Sequence, residues 1–171
     1  MVNIMPRATK HRFAHICILV KDIDAAIEHY TRILKAVAPQ MLEKKVVKQE
    51  GRMGNDHYLT AFFPAIGEAC DIQLLQPIND DSAAAQRLAD HGEGVHHIAF
   101  TTGHLEDTFR ELKEQKVQLH GDNFLKDGSN PKLQLIWIHP KYAHGVLIEV
   151  MNEYRLEDGL IKEVQGSNLA G

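Results

Sequence analysis

The sequence predicts an α+β fold in which two paired β-α-β-β-β modules contribute their strands to one curved mixed sheet. Three observations carry that expectation. Short apolar runs with strand character are interleaved with a few amphipathic helical stretches. The order of these elements in the first half is repeated in the second. A single polar side chain recurs at the same place in each copy, although two copies give only weak self-similarity.

The elements follow in order. "RFAHICILV" (residues 12–20) is a strand with a nearly continuous apolar face. Asp22 suits a helix N-cap, and Ile23, Ala26, Ile27, Tyr30 and Leu34 recur at helical spacing. Three strands are expected at 44–50, 58–64 and 70–77, with Gly51, Gly54 and Gly67 as punctuation. "DDSAAAQRLADHGEG" is a bridging helix capped by Asp81 or Ser82 and ended by glycines. The second module opens with a strand at 94–100 and a helix at 105–115 that aligns Leu105, Phe109 and Leu112. Strands at 133–140 and 144–151 complete it, with a shorter one near 117–122. The boundaries expected are 12–78 for the first module, 79–93 for the bridge and 94–154 for the second module. The remainder, 155–171, is expected to be a short helix followed by disorder.

At 171 residues, 44% hydrophobic and 25% charged, the chain has the composition of a soluble globular protein. A net charge of -4 with interspersed signs makes no case for nucleic acid or an anionic membrane as partner. Two cysteines, Cys17 and Cys70, stand in apolar runs without C-x-x-C spacing and are expected to be buried free thiols. No stretch has the length of a membrane span, and the expected location is the cytoplasm.

Eleven histidines are many for this length. "FAHICILV" and "VHHIAFTT" place His15 and His97 at matching positions, each about seven residues before a helix. The last strand of each module carries Gln73 in "DIQLLQP" and Glu149 in "VLIEVM". Taken singly, each histidine reads as an ordinary hydrogen-bonded strand residue. A lone carboxylate in an apolar strand is harder to dismiss, because burying it without a partner is costly. Paired modules bring equivalent positions together about a pseudo-twofold axis. Two imidazoles, an amide oxygen and a carboxylate then suit one divalent ion such as Zn, Co, Ni or Mn, with room for substrate or water. His96 precedes His97 on the same strand and is expected on the opposite face. His29, His104 and His120 are read as solvated, and Lys141 as a solvated loop residue able to meet an anion.

On "HICILVKDIDAAIEHY", "LLQPINDDSAAAQRLADHGEGVHHIAF" and "IHPKYAHGVLIEV" the chain resembles the vicinal oxygen chelate superfamily, which contains glyoxalases, fosfomycin-resistance proteins, dioxygenases and methylmalonyl-CoA epimerases. The resemblance covers roughly residues 13–154 and is strongest to the epimerase branch. It implies a glyoxalase-like fold and His15, Gln73, His97 and Glu149 as ligands of one divalent metal. The implied activity is removal and return of the α-proton of a carboxy-acyl-CoA thioester, with a homodimer as the expected assembly. Alternatives within the resemblance are a glyoxalase I-like lyase acting on a thiol hemithioacetal and a non-catalytic small-molecule binder. Glu149 is implied to be a base as well as a ligand. The second base is expected as a glutamate on the third strand of the first module, but alignment on Pro64 puts Leu59 there. Asp56 and His57, with Glu50 further back, are the titratable neighbours. Either a short insertion shifts the register so that one of these, Asp56 or His57 first, serves as the second catalytic group, or that base is missing.

Overall fold

The computed structural model describes residues 11–67, 69–128 and 130–164. β1 (Arg12–Leu19) leads into α1 (Ile23–Val37), and a short 3₁₀ turn (Pro39–Leu42) precedes β2 (Gln49–Met53), β3 (Asp56–Phe63) and β4 (Asp71–Pro77). α2 (Ala83–His91) bridges to β5 (Gly94–Thr102), α3 (Leu105–Glu114), β6 (Leu119–Lys126), β7 (Gln134–Ile138) and β8 (Ile148–Asn152). A hairpin of β9 (Tyr154–Glu157) and β10 (Leu160–Glu163) follows.

Eight strands form one curled mixed sheet in the order β2-β3-β4-β1-β5-β8-β7-β6. The first strand of each module pairs parallel with the last, β1 with β4 and β5 with β8, and the modules join through antiparallel β1 and β5. The duplicated β-α-β-β-β unit is thus present, and its symmetry runs between the two central strands.

Packing follows the expected faces. α1 is capped by Asp22, whose carboxylate accepts from Asp24 N and Ala25 N. Its apolar stripe, with Ile23 and Leu34 fully buried, lies on Ala61, Phe63 and Leu74 of the outer face. Leu105 of α3 packs on Ile136 and Val150 in the same way. α2 begins at Ser82, which caps Ala85 N, and sets Ala84 against Cys17, Leu19 and Leu75 on the inner face. Each large apolar side chain buried so contributes about 1.5–3 kcal/mol. α1 covers the outer face of β3 and β4, and α3 that of β7 and β8, while α2 and the hairpin pack on the inner side. Between the helices the outer face of β1 and β5 is only partly covered, with Phe13 and Phe100 at 40% and 39% exposure. A buried polar residue on the inner side of these apolar strands therefore stands out. Cys17 is buried as expected, whereas Cys70 is only half-buried; both are free. Among the described residues no helix is long and apolar enough to cross a membrane.

Three expectations need correction. The second strand lies at Gln49–Met53 rather than 44–50, because Gly51 sits inside it and only Gly54, at φ +59°, forms the turn. The segment after Tyr154 is a hairpin and not a helix: Asp158 and Gly159 take φ values of 49° and 82°, as a two-residue Asp-Gly turn requires. The disorder expected at the end of the chain falls on residues outside the described ones. Third, His96 does not face away from His97. The β1–β5 register runs from Cys17↔His97 to Ile18↔Val95, leaving His96 as the extra residue of a bulge. A matching slip between Phe13 and His15 puts Ala14 in the equivalent place.

Candidate metal centre

The two central strands and their parallel partners bring His15 (β1), Gln73 (β4), His97 (β5) and Glu149 (β8) to the floor of the cup. All four are buried, at 2%, 8%, 4% and 6% exposure. His15 Nε2 is 3.2 Å from His97 Nε2 and 3.2 Å from Glu149 Oε2, and His97 Nε2 is 3.3 Å from the same oxygen. Ligand bonds of ~2.1 Å put tetrahedral neighbours roughly 3.4 Å apart, so this triangle has the spacing of one face of a coordination shell.

Gln73 supplies an independent sign. Thr60 donates its one hydroxyl proton to Leu74 O at 2.9 Å, so its oxygen can only accept from Gln73 Nε2, 3.1 Å away. That fixes the amide and leaves Gln73 Oε1 buried without a partner. An unsatisfied buried carbonyl costs about 1–3 kcal/mol, a cost that a bound cation would remove. The donor set and the orphaned oxygen therefore fit a divalent ion.

Surrounding groups hold the imidazoles in the form a ligand needs. Tyr154 donates to Asp71 Oδ2 at 2.8 Å, so its oxygen accepts from His15 Nδ1 at 3.0 Å and the His15 Nε2 lone pair is left bare. Arg12 pairs with the same Asp71 oxygen at 3.5 Å. On the other ring, His97 Nδ1 is 2.8 Å from His96 Nδ1, a contact that exists only because of the bulge. With His97 donating, its Nε2 is likewise bare. Trp137 stands edge-on to His97 at 5.0 Å, and Phe62 edge-on to His15 at 5.6 Å.

The electrostatics agree. Burial holds the His97 imidazole below its ordinary pKa despite the nearby Glu149 charge, so it is neutral. Burial and then His97 and Arg87 push His96 down to about 3. Burial alone would raise the Glu149 carboxyl, but His97 and His15 outweigh it and hold it well below the usual range, so it is ionised. Cys17 also lies within 4.8 Å of ring nitrogens of His96 and His97, but burial and the Glu149 charge push its thiol up.

The centre opens onto two cavities. One, about 450 Å³, is mainly apolar and is lined by Leu75, Leu135 and Trp137 besides Gln73, His97 and Glu149. The other, about 470 Å³, is more polar and reaches from Gln73 and Thr60 to Asp127, Asn130 and Glu163. Of the residues expected as second bases, Asp56 lines the first cavity, with its carboxylate accepting from Ala83 N at 2.8 Å. His57 lies on the outer face, 3.3 Å from Glu50 Oε2, and does not reach the cup. Leu59 also packs outward, against the cluster under α1. His120 is exposed, as expected, at the edge of the apolar cavity, and stacks on His139 at 4.7 Å. Sequence reasoning missed Tyr154, which nothing in its spacing announces, and Asp71, which alternation from Gln73 would have put on the same face of β4. It also missed Tyr58, which period-2 alternation from Thr60 and Phe62 would have placed in the cup.

The fold that carries this cluster is matched by known proteins. The profile of the glyoxalase/bleomycin resistance protein/dioxygenase superfamily matches residues 14–130, and the chain belongs to that superfamily. Within it, the uncharacterised protein YqjC of Bacillus subtilis is 31% identical over 82% of this chain and 91% of its own. The ethylmalonyl-CoA/methylmalonyl-CoA epimerase of Cereibacter sphaeroides is 27% identical over 81% of this chain and 96% of its own. A variant of the Streptomyces coelicolor methylmalonyl-CoA epimerase, solved with 2-nitronate-propionyl-CoA, superposes with a TM-score of 0.63 at 27% identity, covering 83% of this chain and 96% of that one.

Proposed function

We propose that this protein is a metal-dependent epimerase that removes and returns the α-proton of a carboxy-acyl-CoA thioester, with methylmalonyl-CoA as the test substrate. The observation that carries the reading is the orphaned Gln73 Oε1 beside an ionised Glu149, a neutral His97 and the His15 ring. His15, Gln73, His97 and Glu149 would hold one Co, Zn, Mn or Ni ion. When bound, the ion supplies Lewis-acid stabilisation of the negative charge that develops on the thioester oxygen.

The chain's own groups do the rest. Glu149 meets both imidazoles through Oε2, and its other oxygen serves as the base for the α-proton. The apolar cavity accommodates the acyl-thioester arm and keeps water from the carbanionic carbon. Epimerase relatives, one of them solved with an acyl-CoA ligand, support the substrate class. The homodimer belongs to the same proposal and is read by sedimentation.

The test is proton exchange. Metal-loaded protein is incubated with methylmalonyl-CoA in D₂O and deuterium at C2 is followed by NMR. Exchange is expected to be lost by at least about 100-fold in Glu149→Gln. Background exchange alongside turnover of a glutathione hemithioacetal would establish the glyoxalase-type alternative instead. Stoichiometric ligand binding without either reaction would make the protein a binder.

A further inference from the structure

Inverting a carbon centre requires a proton removed from one face and another delivered to the opposite face. Glu149, on β8, serves one. The second must come from across the cup, where β3 forms the wall with Asp56, Tyr58, Thr60 and Phe62. Phe62 has no proton to give. Thr60 spends its hydroxyl on Leu74 O and holds Gln73. Asp56 is tied at the rim to Ala83 N. Of these four, Tyr58 alone lines both cavities.

The site around Tyr58 is built for that ring. Gly51 pairs with Tyr58 across β2 and β3. A Cβ added at Gly51 would lie 2.3 Å from Tyr58 Cε2, 2.6 Å from Cζ and 2.8 Å from the phenol oxygen. Gly51 is not among the glycines of positive φ, so space and not backbone conformation requires the missing side chain. The bare backbone forms a notch that seats the phenol.

We propose that Tyr58 is a catalytic residue that donates the proton to the face of the α-carbon opposite Glu149, an assignment that rests on the epimerase reading. The Glu149 carboxylate takes the α-proton, and the C–H electron pair delocalises into the thioester. A new C–H bond then forms with the Tyr58 proton, and the phenolate left behind is reprotonated by water while Glu149 releases its proton to solvent. Burial first, then the charges of Asp127, Glu149, Cys17 and Asp56, raises the phenol pKa and keeps it in the protonated, donating form.

The experiment follows each purified epimer of methylmalonyl-CoA separately in D₂O, reading C2 exchange by NMR and inversion by chiral analysis. In Tyr58→Phe the ring keeps its seat and loses only the hydroxyl. Inversion should fall at least about 100-fold from both epimers. Exchange with retention should persist within about threefold for the epimer whose proton faces Glu149 and vanish for the other. Gly51→Ala, which displaces the phenol without removing it, should lower inversion about tenfold or more, with unchanged circular dichroism and metal content. Unimpaired inversion in Tyr58→Phe, or equal loss of exchange from both epimers, would overturn the assignment. The split appearing in Asp56→Asn with Tyr58→Phe unaffected would overturn it too. Absence of exchange in the unaltered protein overturns the epimerase reading itself.

Discussion

Tyr154 is the residue through which a distant part of the chain reaches the centre. It lies at the start of β9, past the last strand of the second β-α-β-β-β unit, yet its hydroxyl joins His15 Nδ1 to Asp71. Removing that oxygen frees the His15 ring to exchange tautomers and turn. Groups that orient a ligand in this way are commonly worth 10–100-fold in metal affinity. Tyr154→Phe is therefore expected to weaken binding of Zn or Co by about 10–100-fold, read by competition with a chromophoric chelator. Unchanged affinity would show that packing alone holds His15. The contrast with His97 is instructive, since its partner His96 comes from the next position in the chain and is brought round by a bulge.

At the level of elements, the turn of the β9–β10 hairpin is seated on the segment that leads into β2. Gly159 turns the hairpin at φ +82°, and a Cβ there would stand 2.7 Å from Lys45 O and from Val47 Cγ2. Conformation and space both exclude a side chain, so Gly159→Ala should cost about 1–3 kcal/mol in urea unfolding. Because the hairpin carries Tyr154, it should also weaken metal binding, and destabilisation without any effect on the metal would separate the hairpin from the centre. This hairpin also shows what the sequence made legible. The meeting of His15, Gln73, His97 and Glu149 is readable because a polar side chain in an otherwise apolar strand is anomalous, and a duplication repeats the anomaly at matching places. The Asp158-Gly159 turn carried a recognised hairpin signal, yet the charged residues around it read as helical. Gly51 reads as a strand end because one sequence does not say whether a glycine marks a turn or makes room for Tyr58. The bulge at His96 left no trace at all, since a one-residue slip changes which face a side chain occupies without changing composition or period.

For the molecule as a whole, stability and metal loading are tied together by pH. The folded, metal-free protein keeps His96 and His97 neutral, with His96 pushed from 6.5 down to about 3. The unfolded chain protonates both near 6.5, so below that pH it binds protons the folded state refuses, and stability falls as pH drops. Glu149 acts with the same sign further down: its folded carboxyl lies below the ordinary 4.5, so its contribution is present above that pH and is lost on stronger acidification. A histidine kept neutral down to about pH 3, as His96 is, costs about 1.4 kcal/mol per pH unit below 6.5, so His96 alone should remove about 2 kcal/mol by pH 5. A metal at a hundredfold its Kd should add about 2.7 kcal/mol at neutral pH, and that gain should shrink in acid because protons compete for the same nitrogen lone pairs. Urea titrations at pH 7.5 and 5, with and without Zn, read all of this in four curves. The metal-free protein should lose at least about 2 kcal/mol on acidification, and the increment from Zn should fall over the same interval. Equal stability of the metal-free protein at both pH values would mean that the imidazoles are protonated inside the fold, and that the centre is not held ready for a cation.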